Sequence, residues 1–243
     1  YLYLGDNART PYGTRSYEII YEFTLQAVKW LFEQRCNLII IACNTASARA
    51  LRNIQVKDLP SISPVKRVLG VIRPTAESVI ELTHTKHIGL LATQGTVDSY
   101  SYEKELSRLD KNIKIVSEAM WVPLVENQEY DKEGADYFVK QHLDNVLESD
   151  KDIDCIVLGC THYPLLIDKI KQYIPPHINI ISQGSFVASS LKNYLARHAT
   201  LESLCSKNGE RSYCTTESAE KFESLASVFL DEKITVKKVD LKV

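Results

Sequence analysis

The sequence predicts an α/β protein built from two doubly wound parallel-sheet domains. Short apolar runs alternate along the chain with longer segments whose apolar side chains recur at spacings of three and four. Runs such as LIIIA and CIVLG are apolar on both faces, as strands are when helices cover both sides of a parallel sheet. Two runs also end alike. LIIIACNTAS at 38–47 and IVLGCTHYP at 156–164 each close on a small residue, then a cysteine, then a polar residue where a helix begins.

Strands are expected at 1–4, 38–43, 65–72, 87–92, 113–116, 153–158, 178–181 and 234–239. The segment 14–34 sets Ile20, Phe23, Ala27, Trp30 and Leu31 on one helical face, suited to covering a sheet. Further helices are expected at 45–56, 74–82, 97–109, 132–147, 164–173, 185–197 and 218–230. The punctuation LPSISP at 59–64 and the pair Pro175 and Pro176 read as two crossings of a domain boundary. They divide the chain into an outer domain, 1–66 plus 177–243, and a central domain, 67–176, inserted in it.

A chain of 243 residues holds a real core, since one of this size buries roughly 70% of the surface its unfolded form exposes. With 29 basic and 31 acidic side chains, the net charge of −2 offers no basic field for nucleic acid or an anionic membrane. No apolar run approaches the ~20 residues of a membrane span, and the first residues lack the pattern of a signal peptide. The expectation is a soluble, cytoplasmic protein with a small ligand.

The six cysteines sit mostly in apolar runs of a long chain, so they are expected reduced. Cys36 and Cys155 read as small buried hydrophobes. No metal site is expected, because no CxxC pair exists and His84-Thr85-Lys86-His87 reads as a solvated turn before a strand. His142, His177 and His198 have the same standing. Neither GxGxxG nor GxxxxGK occurs, which leaves a phosphate loop unsupported.

Cys43 and Cys160 both fall beyond the carboxyl ends of parallel strands, where open α/β sheets bind ligands. Each precedes a helix N-terminus, whose unpaired N–H groups and dipole favour a thiolate. A free thiol with pKa ≈ 8.5 is only a few per cent ionised at pH 7, and lowering it by about two units makes it roughly three quarters thiolate. One cysteine as base and the other as acid, on opposite faces of a carbon beside a carboxylate, invert that carbon without a cofactor. His162 is placed to exchange a proton with Cys160. Asn44, Thr45 and Thr161 offer donors for the carboxylate and for the charge that develops on it.

Ala42-Cys43-Asn44-Thr45-Ala46-Ser47 and Gly159-Cys160-Thr161-His162-Tyr163-Pro164 together resemble the two signature blocks of the glutamate racemase family, whose members work without pyridoxal phosphate. GDNARTPYG at 5–13, ATQGTV at 92–97 and VPLVE at 122–126 agree, so the resemblance covers nearly the whole chain. It implies interconversion of L- and D-glutamate for peptidoglycan synthesis, with no cofactor, the active site in the cleft between the two domains, one cysteine from each domain and usually a homodimer. No exposed apolar pattern here dictates a dimer. The resemblance also implies that Cys43 deprotonates the D enantiomer and Cys160 the L enantiomer, with His162 assisting Cys160. Substrate contacts are implied for Tyr12, Gly13, Asn44, Thr45, Thr93, Thr96, Thr161 and His162, and acidic assistance for Asp6 and Glu126.

Read without the family, Tyr12 and Gly13 form a turn after Pro11, Thr93 and Thr96 cap a helix near Val97, Asp6 is a turn residue and Glu126 a solvated charge. One departure stands out. The family opens on a strand and a loop Phe-Asp-Ser-Gly-x-Gly-Gly, whose aspartate assists the first cysteine and whose serine binds substrate, whereas Tyr1 lies in the strand that corresponds to the second. The amino-terminal strand of the outer domain is therefore expected to be missing, and a partner of Cys43 with it. Three alternatives stay open: a racemase of aspartate or another acidic amino acid, a truncated relative that binds ligand without turnover, and a thiol redox pair. A gap wide enough for substrate opposes the last, because bonded cysteines need Cα atoms within about 7 Å.

Overall fold

The computed structural model describes residues 1–119, 121–230 and 232–241. Every strand pairing among them is parallel, and the α/β expectation holds. The strands are β1 (Leu2–Gly5), β2 (Leu38–Ile41), β3 (Arg67–Gly70), β4 (His87–Ala92), β5 (Lys114–Ala119), β6 (Cys155–Gly159), β7 (Asn179–Ile181), β8 (Ser212–Thr215) and β9 (Val236–Lys238). They form a four-stranded sheet in the order β5-β4-β6-β7, a pair β2-β3, and a three-stranded sheet β1-β8-β9.

The residues of β6 show why this sheet is covered twice. Successive side chains of a strand point to opposite faces. Ile156 and Leu158 pack with Val139, Leu143 and Val146 of the helix Glu133–Ser149 and with Ile170 of the helix Ile167–Tyr173. Cys155 and Val157 pack on the other side with Ala76 and Val79 of the helix Ile72–Leu82 and with Tyr102 and Leu106 of the helix Ser101–Leu109. All five residues of β6 are buried. Each fully buried Ile or Leu contributes about 1.5–3 kcal/mol relative to exposure.

The register then sets the site. Ala92 lies opposite Gly159, so Thr93 and Cys160 leave the sheet at neighbouring strand ends. Ile41 lies opposite Gly70, and Cys43 follows two residues after β2.

Several elements differ from expectation. The helix Tyr17–Glu33, capped by the Ser16 hydroxyl, buries Ile20, Thr24, Val28 and Phe32 instead of the expected stripe through Phe23 and Ala27. Thr24 tolerates this because its hydroxyl donates to the Ile20 carbonyl at 2.6 Å. The single helix expected at 97–109 is two, Gln94–Val97 and Ser101–Leu109, broken at Tyr100, which takes a left-handed φ of 53°. LPSISP is partly helical, with Pro60 in the first turn of Leu59–Ile62, where its missing N–H costs nothing. Both expected crossings fall one strand short: Arg67–Gly70 pairs with β2, and Asn179–Ile181 with β6. β8 was not expected at all. No helix among the described residues is long and apolar enough to cross a membrane.

Candidate active site

Cys43 stands at the N-cap of the helix Asn44–Arg49, with its carbonyl accepting from Ser47 N at 2.9 Å. Burial raises the pKa of its thiol, while the backbone N–H groups of Ala46 and Thr45 and the Thr45 hydroxyl pull it down. Burial wins. Cys160, at 5% exposure, is pushed up to about 12, again by burial first; the N–H groups of His162 and Tyr163 oppose this, and charge on Cys43 and Glu126 adds to it. The helix-start donors expected to make thiolates are therefore in place, but desolvation outweighs them and both groups rest as thiols.

His162 bridges Cys160 and an acid. Its Nδ1 lies 3.7 Å from Cys160 Sγ, and its Nε2 lies 3.5 Å from Glu126 Oε1. Burial lowers the imidazole pKa and Glu126 partly restores it, so the ring is neutral near pH 7. Tyr163 anchors this turn, donating to the Ala92 carbonyl at 2.9 Å and accepting from Trp121 N at 3.2 Å. Thr161 is exposed.

Beside Cys43, three hydroxyls meet. Thr45 Oγ1 is 2.8 Å from Thr93 Oγ1 and 3.4 Å from Thr96 Oγ1, and the last two are 3.0 Å apart. Thr93 also caps Gln94–Val97, so the capping role and membership of this cluster coexist. Gly95 N donates to the Gly13 carbonyl at 2.9 Å, and Arg49 Nε donates to the Gly95 carbonyl at 2.7 Å. Only glycine fits at 95, where a Cβ would sit 2.9 Å from the Gly13 carbonyl oxygen and 3.1 Å from Thr45 Cγ2.

Tyr12 packs in the cluster that contains Cys43, and its hydroxyl donates to Asp6. Burial first, then Asp6, raises the Tyr12 pKa. Asp6 itself is saturated: Arg9 Nε donates to both its oxygens at 2.9 and 2.8 Å, and Thr216 Oγ1 donates at 2.9 Å. Of the two acidic candidates, Glu126 reaches the cysteine–histidine pair, whereas Asp6 is engaged in holding Tyr12.

Asn44 is almost fully buried and bonds to Gln183 and Tyr102, neither of which was expected at the site. Gln183 opens a helix directly after β7, the same strand-to-helix setting as the cysteine blocks, and this was its one signal in the sequence. Tyr102 gave none. All six cysteines are free. Among the described residues one group of possible metal ligands occurs, His87, Asp150 and Asp152, with ligand atoms within 4.8 Å of one another. His87 begins β4, at the end of the strand away from Thr93, so this group is no part of the site.

Residues 1–188 match the family model described as Asp/Glu/hydantoin racemase. The chain is 37% identical over 245 residues to a glutamate racemase of Ruegeria sp. (strain TM1040), covering 97% of this chain and 88% of that one. Its structure is similar to that of a glutamate racemase isoform from Bacillus anthracis, with TM-score 0.88, 36% identity and coverage of 100% and 88%. It is also similar to a glutamate racemase from Francisella tularensis in complex with D-glutamate, with TM-score 0.85, 29% identity and coverage of 99% and 88%. Paired strand-end thiols and a match of this extent lead to one conclusion: the chain belongs to the Asp/Glu/hydantoin racemase family.

Proposed function

We propose that this chain interconverts L- and D-glutamate by a cofactor-independent, two-base mechanism in which Cys43 and Cys160 act on opposite faces of the α-carbon. The observation that carries this reading is that the strand ends bearing the two thiols meet, Thr45 Oγ1 lying 2.8 Å from Thr93 Oγ1 and Ala92 lying opposite Gly159, with Cys160 backed by His162 and Glu126. The glutamate racemases similar to this chain, one of them in complex with D-glutamate, support the choice of substrate.

From the L enantiomer, the Cys160 proton passes to Nδ1 of the neutral His162, and the imidazolium that forms is stabilised by Glu126. The Cys160 thiolate removes the α-proton, and the Cys43 thiol gives its own proton to the other face. That step leaves Cys43 as the thiolate, held by the N–H groups of Thr45 and Ala46. This is the form that deprotonates D-glutamate in the return direction. As the α-proton leaves, charge develops on the substrate carboxylate, and donors fixed in advance stabilise it. The hydroxyls of Thr45, Thr93 and Thr96, the Asn44 amide and the segment around Tyr12 and Gly13 supply that surface.

In this reading the outer part of the chain, with β1 to β3, β8 and β9, contributes Cys43, and the central part, with β4 to β7, contributes Cys160. The product supplies D-glutamate for peptidoglycan, and the reducing cytoplasm, where thiols persist, is the compartment it requires. Circular dichroism tests the reading directly. The signal of pure L-glutamate and that of pure D-glutamate should each decay to zero with enzyme present. A constant signal from both, or decay with aspartate alone, overturns the assignment.

A further inference from the structure

We infer that Gln183 is a positioning residue that locks the Asn44 carboxamide so that it offers the substrate a single N–H donor; the inference rests on the reading of Asn44 as a substrate-binding residue. Gln183 lies 139 positions from Asn44 along the chain, at the start of the helix Gln183–Arg197. Asn44 Nδ2 donates to Gln183 Oε1 at 2.6 Å. Asn44 Oδ1 accepts from the Tyr102 hydroxyl at 2.8 Å and lies 3.1 Å from Gln183 Nε2. Gln183 Nε2 also donates to Thr75 Oγ1 at 2.9 Å and to the Tyr102 hydroxyl at 2.6 Å. Thr75 passes its own hydrogen to the Val71 carbonyl at 2.7 Å.

Only one orientation of the two amides satisfies this set. Turning Gln183 over sets its NH2 against the NH2 of Asn44 and presents its oxygen to Thr75, whose hydrogen is already committed. Turning Asn44 over sets the same two donors against each other. Asn44 Oδ1 thus accepts from the Tyr102 hydroxyl with Gln183 Nε2 against it, and one hydrogen of Nδ2 is given to Gln183 Oε1. The remaining Nδ2 hydrogen is a donor, and the ligand group it selects is an acceptor, a carboxylate oxygen.

The four side chains are buried, so exchanging any of these bonds for water is not open to them. Asn44 directly follows Cys43 at the start of its helix, which sets the network beside a reacting thiol. Three helices, Ile72–Leu82, Ser101–Leu109 and Gln183–Arg197, thereby fix one side chain of a fourth, Asn44–Arg49.

The test is a kinetic cycle on the full chain with L- and D-glutamate. Gln183→Met keeps length and removes the polar pair. It should raise KM about tenfold for both enantiomers while kcat changes by less than about threefold, since a hydrogen bond to a charged group is worth roughly a factor of ten or more. Adding Gln183→Met to Asn44→Ala should change KM no further, because the glutamine acts through the asparagine. Tyr102→Phe, which removes a single oxygen, should raise KM in the same sense, and it carries the cycle if Gln183→Met does not give a folded circular dichroism spectrum. A raised KM in Asn44→Ala with an unchanged KM in both Gln183→Met and Tyr102→Phe overturns the inference alone. An unchanged KM in Asn44→Ala overturns the substrate-binding role of Asn44 as well. Multiplying effects in the double variant show that Gln183 acts independently, and also overturn it.

Discussion

Removing either sulfur should stop inversion without stopping all chemistry. Cys43→Ser and Cys160→Ser should each lower racemisation at least about a thousandfold, because a hydroxyl is a far weaker acid than a thiol and a far poorer base as formed at neutral pH. Each variant keeps one base, so in deuterated water one enantiomer should still exchange its α-hydrogen: D-glutamate in Cys160→Ser and L-glutamate in Cys43→Ser. Near-normal turnover in either would sink the two-base assignment. The pH profile follows from the form the mechanism starts from, two thiols with raised pKa values and a His162 imidazole whose pKa is lowered. The base is made by internal transfer from Cys160 to His162, so kcat/KM should hold level above neutral pH and fall as acid protonates the imidazole, equally from both enantiomers, because they have the same free energy. A steady climb from pH 7 to 9 would contradict it, these limits spanning the range around the ordinary thiol value of about 8.5. At this scale the strand-end setting of the two cysteines and the approach of His162 to Cys160 were legible, since local context decides them in one short segment each. The bonds of Asp6 were not, because one of its partners, Thr216, lies 210 positions away, and Gln183 was missed because its bonds exist only through contacts with other helices.

The elements were legible where periodicity alone decides them. Buried strands such as β6 announce themselves, and so does a long helix such as Glu133–Ser149. β8 escaped because SYCT is short and mixed, and it earns its place as the middle strand between β1 and β9. The face of Tyr17–Glu33 was rotated because a buried threonine, satisfied by its own helix, reads as polar in sequence. Two predictions belong here. Gly95→Ala should push the Gly13 loop off Gln94–Val97, raising KM for glutamate and lowering stability by about 1–3 kcal/mol, as measured by urea denaturation. Asp154, just before β6, accepts from Thr83 Oγ1 at 2.6 Å, His84 N at 2.6 Å and Thr85 N at 3.0 Å. Burial pushes its pKa up, but these donors pull harder and the net shift is downward. A lowered carboxylate contributes stability that is present above its unfolded pKa of about 3.9 and lost as pH falls through the folded value. Asp154→Ala should therefore cost about 1–3 kcal/mol at pH 7, with the difference from the parent chain shrinking in acid.

Across the whole molecule, the sequence made the class and the parallel sheets plain, but not where each sheet ends, because prolines mark turns whether or not a sheet changes there: β3 still pairs with β2, and β7 with β6. If glutamate bridges residues contributed by distant parts of the chain, it should stabilise the fold as a unit. At a concentration about a hundredfold above Kd, the gain is roughly 2.7 kcal/mol, readable as a rise in Tm that a variant lacking the Asn44 amide would show only at higher ligand. The burial that keeps Cys43 and Cys160 protonated has a consequence for the life of the protein under oxidative stress. Peroxides and alkylating reagents attack thiolates, so the two sulfurs are poor targets until substrate enters and one of them gives up its proton.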